Sequence, residues 1–301
     1  MKEESNISYS YDVTNLLDCH DQEQMYLDAL RNKRNITNGV IAVFNGYENR
    51  ERALEWATYH NLVGFDHIFL YFNEPWPNGM DEYKRDYITW VPFAAKVING
   101  GLSWGIFRIA GMMDMFWNAR FLGMKWLLNI DIDEYFWFDF KYDNATNPVK
   151  SYLHAFQNSS KVGIHLNSIA YGANRSIDYD QYVPRENCTI LDNVFRQKID
   201  DRRVQWDRLK MIANIESDQL QGLTHHGCHK GFRNKVCPTY RELPSIARIN
   251  HYKKPEHGVF NKTKETVQGL DQIESDFNLF NRYKLQLEQN LRMERRLSIP
   301  S

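Results

Sequence analysis

Nowhere in the 301 residues does an apolar run approach the ~20 residues that a membrane-spanning helix needs. The opening stretch, Met1 to Gln24, is polar and has no apolar signal-peptide core. A soluble protein is expected, unless an anchor lies outside this sequence. Cysteine is scarce: the 4 residues are Cys19, Cys188, Cys228 and Cys237. None stands in a Cys-x-x-Cys pair, which argues against a structural zinc site. Cys228 and Cys237 are close enough in sequence to bridge, and two free thiols are the alternative. Net charge is lacking too, with 37 Lys and Arg against 38 Asp and Glu. No general attraction to nucleic acid or an anionic membrane follows, so any anionic ligand must be held locally. Internal repeats and low-complexity segments are also missing.

What remains is 43% hydrophobic, enough for one large α/β domain or two small ones with a sizeable core. Asn-x-Ser/Thr sequons begin at Asn6, Asn35, Asn144, Asn158, Asn174, Asn187 and Asn261. That is more than chance supplies. A secretory, Golgi-type lumen would explain the excess, and a cytoplasmic protein from an Asn-rich genome is the other reading.

Residues 1–38 lack sustained periodicity and read as an N-terminal extension. The apolar run Val40-Ile-Ala-Val-Phe44 predicts a strand. Ala53, Trp56 and Ala57 at helical spacing predict a helix that Gly64 stops. His67-Ile-Phe-Leu-Tyr-Phe72 is a second strand, which completes a βαβ unit and implies a largely parallel sheet flanked by helices. A strand is expected near residues 95–98. Met112, Met115, Phe116, Ala119 and Leu122 line one helical face, ended by Gly123. Such a Met and aromatic stripe is core packing. Further elements are expected as a strand over 126–130, a helix over 148–156, and strands over 162–167, 209–215 and 246–252. Residues 172–208 are polar and loop-rich. A charged amphipathic helix follows from about residue 263, with Ile273, Phe277, Phe280, Leu287 and Leu291 on one face.

The strand Trp126-Leu-Leu-Asn-Ile130 runs straight into Asp131-Ile-Asp-Glu134. Open α/β sheets bind ligands at such C-terminal strand ends. Past the strand end both carboxylates can turn toward one hard divalent cation, Mg2+ or Mn2+, which completes its shell with phosphate oxygens. The bland alternative is a solvated turn. His225 and His226 are adjacent in a Gly-flanked loop, and His251 closes the last strand beside Lys253 and Lys254.

The segment Leu127-Leu-Asn-Ile-Asp-Ile-Asp-Glu-Tyr-Phe136 resembles the Asp-x-Asp core of GT-A glycosyltransferases related to family 92 and its family 2-like neighbours. Leu54-Glu-Trp-Ala-Thr-Tyr-His-Asn-Leu-Val-Gly64 with Asp66-His-Ile-Phe-Leu-Tyr71 is similar to an earlier block of that family. Asp114 matches an acidic position, and Ile249-Asn-His-Tyr-Lys-Lys254 resembles a late block. The resemblance spans roughly residues 39–265. It implies a GT-A, Rossmann-like nucleotide-diphospho-sugar transferase fold, with a catalytic domain over 39–262 and a C-terminal helix over 263–301. It implies a metal-dependent, hexosyltransferase-like enzyme that takes a nucleotide sugar, foremost a UDP-sugar, and Mn2+ or Mg2+. The acceptor would be a glycan or glycoconjugate hydroxyl.

By this resemblance Asp133 is the main metal ligand, and Asp131 lies at the metal or the ribose. Glu55 and Asp114 line or support the nucleotide pocket. His226 or His251 completes the site as metal ligand or diphosphate contact. The chain departs from the family pattern after Tyr71, where Asn73 can substitute for the usual base or ribose contact. An inverting reaction needs a carboxylate base, for which the candidates are Asp178, Asp180, Glu186 and Asp192, with Asp178 and Asp180 preferred because they follow the Tyr171-Gly-Ala-Asn turn most closely. Two other classes remain open: a non-catalytic nucleotide-sugar or glycan binder, and a haloacid-dehalogenase-type phosphatase, whose nucleophile is the first Asp of an Asp-x-Asp.

Overall fold

The computed structural model describes residues 36–44, 49–72, 83–92, 104–139, 147–172, 195–196, 209–224, 227–228 and 238–252. The expectations at Asn73, residues 95–98, Asp178, Asp180, Glu186, Asp192, His225, His226, Cys237 and the C-terminal helix lie outside them.

Strand β1 (Asn38–Phe44) is buried along its whole length, as is β2 (His67–Phe72). Strands covered on both faces read as continuous apolar runs, which is why these two were legible from sequence. Between them runs α1 (Arg50–Leu62), and β1 and β2 pair in parallel with Val40 opposite Ile68. Strand β3 (Ile88–Pro92) joins β2 in parallel. It precedes the stretch where a strand was expected. Helix α2 (Trp104–Phe121) then returns the chain to β4 (Trp126–Asn129), which lies parallel to β1 on its other side.

The chain next turns sharply into β5 (Glu134–Phe138), a strand not foreseen as a separate element, and then into the short α3 (Pro148–His154). Strands β6 (Gly163–Gly172), β7 (Phe195–Arg196), β8 (Leu209–Asn214), β9 (Leu223–Thr224), β10 (Gly227–Cys228), β11 (Thr239–Arg241) and β12 (Ala247–Tyr252) follow. The main sheet runs β3-β2-β1-β4-β8-β6-β12-β5, with β7 and β11 attached to β6. Pairs among β1 to β4 are parallel, as are β6 with β12 and with β11. Antiparallel pairs enter where β8 inserts between β4 and β6, where β7 meets β6, and where β5 closes the edge. The protein is thus a mixed α/β structure whose first half is parallel.

Helix α1 buries every residue from Ala53 to His60, more than the one apolar face the sequence displays. The polar members survive burial because they are bonded. Thr58 Oγ1 donates to Leu54 O at 2.7 Å, and Tyr135 Oη donates to Glu55 Oε1 at 3.2 Å. Three further side chains bond the edge of β5, which no strand covers among the described residues. Trp56 Nε1 donates to Glu134 O (2.6 Å) and Tyr59 Oη to Phe136 O (2.8 Å), while Phe136 N–H donates to His60 Nε2 (3.3 Å). An open sheet edge carries unpaired backbone groups. Here a helix supplies side-chain partners for them.

Both expected glycine stops hold. Gly64 has φ 111° and Gly123 φ 70°, a region that favours glycine. Met112, Met115, Phe116 and Ala119 on α2, and Leu122 just past its end, are buried, as their spacing foretold.

Candidate active site

The site is built on the turn between β4 and β5. Ile130 N–H donates to Ile41 O at 3.1 Å, so the end of β4 stays bound to the central strand β1. The chain then reverses within four residues: Glu134 N–H donates to Asp131 O, and Asp131 N–H donates to Glu134 Oε2, each at 2.9 Å. Glu134 thereby fixes the turn that presents both aspartates.

The two aspartates face different partners. Asp131 Oδ1 is bonded by the Arg108 guanidinium from α2, and Oδ2 by Lys210 Nζ from β8 at 3.1 Å. Lys210 also meets Glu134 Oε2 at 2.8 Å. An ammonium in a buried strand has to be paired, and these carboxylates pair it. Asp133 turns instead toward β12: its carbonyl accepts from Tyr252 N–H at 2.7 Å, and its carboxylate lies 3.3 Å from His251 Nε2. His251 Nδ1 is 3.6 Å from Glu134 Oε1. From the first turn of α1, Arg52 donates to Tyr252 O at 3.2 Å.

These neighbours tune the acids. Burial pulls the Asp133 carboxyl upward, but the hydrogen bond and charge of His251, helped by Arg52, outweigh it and hold it below the usual range. Asp133 is therefore an anion with 30% of its side-chain surface exposed, open to a ligand. Burial pushes Glu134 above its ordinary value against the opposing charge of Lys210, and the nearby Asp131 and Asp133 add to the rise.

Of the residues singled out from sequence, Asp131, Asp133 and His251 are brought together. Glu55 sits behind them, fully buried against Tyr135. Asp114 accepts from Tyr71 Oη at 2.7 Å and from Asn118 Nδ2 at 3.1 Å, on the same helix as Arg108. Arg52, Arg108 and Lys210 were not foreseen. Lys210 left a signal, as a lone cation inside the apolar run Leu209-Lys-Met-Ile-Ala213. Arg108 left none, because nothing in helical spacing says which oxyanion an arginine meets.

Among the described residues no group of three or more His, Cys, Asp and Glu is arranged to hold a metal. The donor chemistry of Asp133 and His251 nevertheless fits a divalent cation. Adjacent ligands of an octahedral ion at about 2.1 Å stand about 3 Å apart, close to the spacing of this carboxylate and imidazole. Substrate oxygens commonly fill the rest of such a shell.

In open α/β sheets, the C-terminal end of a central strand beside the point where strand order reverses is where ligands bind. A sequence model of glycosyltransferase family 92 matches residues 41–289. That span holds the whole site, and the chain belongs to glycosyltransferase family 92. It is a glycosyltransferase, with a sugar donor and an acceptor as substrates, and both the phosphatase and the non-catalytic readings are set aside. A search of curated proteins finds no match to the chain. No helix among the described residues is long and apolar enough to cross a membrane.

Proposed function

We propose that the enzyme has the GT-A architecture and moves a hexosyl residue from a nucleotide-diphosphate sugar, foremost a UDP-sugar, to a hydroxyl of a glycan or glycoconjugate, with inversion. One observation carries the reading. Asp131 and Asp133 lie at the C-terminal end of β4 beside β1, and Asp133 is kept ionised against His251.

Asp133 and His251, with Asp131, are the residues that would hold a divalent cation, and His226 is a further candidate. Bound there, the cation would supply charge neutralisation to the departing nucleoside diphosphate. Glu134, locked in the turn, keeps Asp131 and Asp133 at fixed positions before substrate arrives, which is worth more than contacts formed on binding. Glu55 and Tyr135 back this turn from the core. Asp114, Tyr71 and Asn118 form a bonded set toward the nucleotide side, where Asn73 is the candidate base or ribose contact. In the transfer, the acceptor oxygen bonds the anomeric carbon while the bond to the diphosphate breaks, and the diphosphate leaves with the electron pair. The acceptor proton goes to a carboxylate, for which Asp178 and Asp180 remain the preferred candidates.

The decisive variant is Asp133→Ala. We expect it to fold, to lose transfer, and to lose metal-dependent binding of UDP by calorimetry. Unchanged turnover in the variant, or full wild-type activity in excess chelator, would refute metal dependence.

A further inference from the structure

Both oxygens of Asp131 are already occupied by cations, Oδ1 by Arg108 and Oδ2 by Lys210. The two cations are held very differently. Lys210 rises from the interior of β8, keeps 2% of its side-chain surface exposed, and bridges Asp131 and Glu134. Withdrawing it would strand a buried ammonium beside two carboxylates. Arg108 reaches Asp131 from α2 and is 18% exposed. Its side chain is long, and its planar fork fits a carboxylate and a phosphate equally well. A guanidinium near the surface can exchange one oxyanion for another, whereas an ammonium locked between buried acids cannot.

We propose that Arg108 is an exchangeable counter-ion. Without donor it neutralises Asp131. When the nucleotide sugar binds, it transfers to the diphosphate and leaves an oxygen of Asp131 for the divalent cation. The inference rests on the reading of Asp131 and Asp133 as the donor site. Its physical consequence is a pair of effects of opposite sign. Arg108 opposes a metal that arrives alone, because both compete for Asp131. The same residue favours a diphosphate, because it becomes that group's partner.

The test uses the full chain and the variants Arg108→Ala and Arg108→Lys, with the fold checked by near-UV circular dichroism. Mn2+ alone is titrated by electron paramagnetic resonance. UDP, GDP and inorganic pyrophosphate are titrated by calorimetry in saturating Mg2+. Arg108→Ala should bind Mn2+ alone at least tenfold more tightly, and at least one diphosphate that the wild type binds at least tenfold more weakly. Arg108→Lys should restore most of both. A residue that merely supported the fold would weaken both kinds of binding, and that result would overturn the exchange. So would unaltered affinities in Arg108→Ala beside a wild type that binds. A wild type that binds neither Mn2+ nor any of the three diphosphates overturns the donor-site reading itself.

Discussion

His60 is fully buried, and its hydrogen bonds fix its protonation. Nε2 accepts from Phe136 N–H, so the proton must sit on Nδ1, which donates to Trp56 O at 2.8 Å. Burial lowers its pKa from 6.5 to about 3, against the smaller upward pull of the Trp56 carbonyl. The unfolded chain takes up a proton near pH 6.5 that the folded chain refuses. The stability tied to this neutral imidazole is therefore complete above pH 6.5 and is lost as the pH falls from there toward about 3. We expect the wild type to lose up to about 1.4 kcal/mol more per pH unit across that window than His60→Gln does. Urea titrations between pH 7 and pH 4.5 read the two slopes, and equal slopes would remove His60 from the account. The buried site groups Lys210 and Glu134 belong to the same scale. The sequence marks them as polar letters in apolar surroundings without saying that they meet.

At the scale of elements, the stop of α1 and the start of α3 are one device. Gly64 takes φ 111°, and a Cβ built on it would fall 2.4 Å from Asn147 Oδ1. Asn147 is the N-cap of α3, its side chain accepting from Lys150 N–H at 2.9 Å. Gly64→Ala should thus cost about 2 kcal/mol, through backbone strain at positive φ and displacement of the cap. In an Asn147→Ala background the same change should cost clearly less, because the clash is gone while the strain stays. Chemical denaturation of the double-mutant cycle measures this, and strict additivity would separate the two ends.

The strands β1, β2 and β4 and the helices α1 and α2 were legible in sequence because each carries a long apolar period. Strand β5 was not, because its residues Glu134 to Phe138 continue the acidic motif without a polar break. Its edge is completed by helix side chains that no local pattern reveals.

For the whole molecule, the proposed function implies a division of labour between the parallel first half, which would hold the donor, and the polar segment 172–208, which would meet the acceptor. The strands described between Val40 and Asp133 pair in parallel, and the last of them, β4, ends at the site. The segment 172–208 joins β6 to β8, and within it β7 pairs with the end of β6. Loops set on a rigid scaffold commonly carry specificity. Replacing this segment with that of another family 92 member should spare UDP affinity by calorimetry while abolishing or redirecting transfer to the acceptor. Loss of donor binding in a variant shown to be folded by circular dichroism would place the acceptor site elsewhere.

Local sequence determined the βαβ beginning, the glycine stops, the core face of α2 and the placement of Asp131 and Asp133 just past a buried strand. Each of these follows from interactions within a few residues: apolar periodicity, the conformational freedom of glycine, and the chain leaving a sheet. Tertiary structure alone decided which charges meet. Arg108, Lys210 and His251 stand 23, 79 and 118 residues from the aspartates they contact. The insertion of β8 beside β4 brings Lys210 within hydrogen-bond reach, the pairing of β12 with β5 brings His251, and the packing of α2 against β1 and β4 brings Arg108. Electrostatic partners are selected by distance in space, and a linear pattern does not carry that distance.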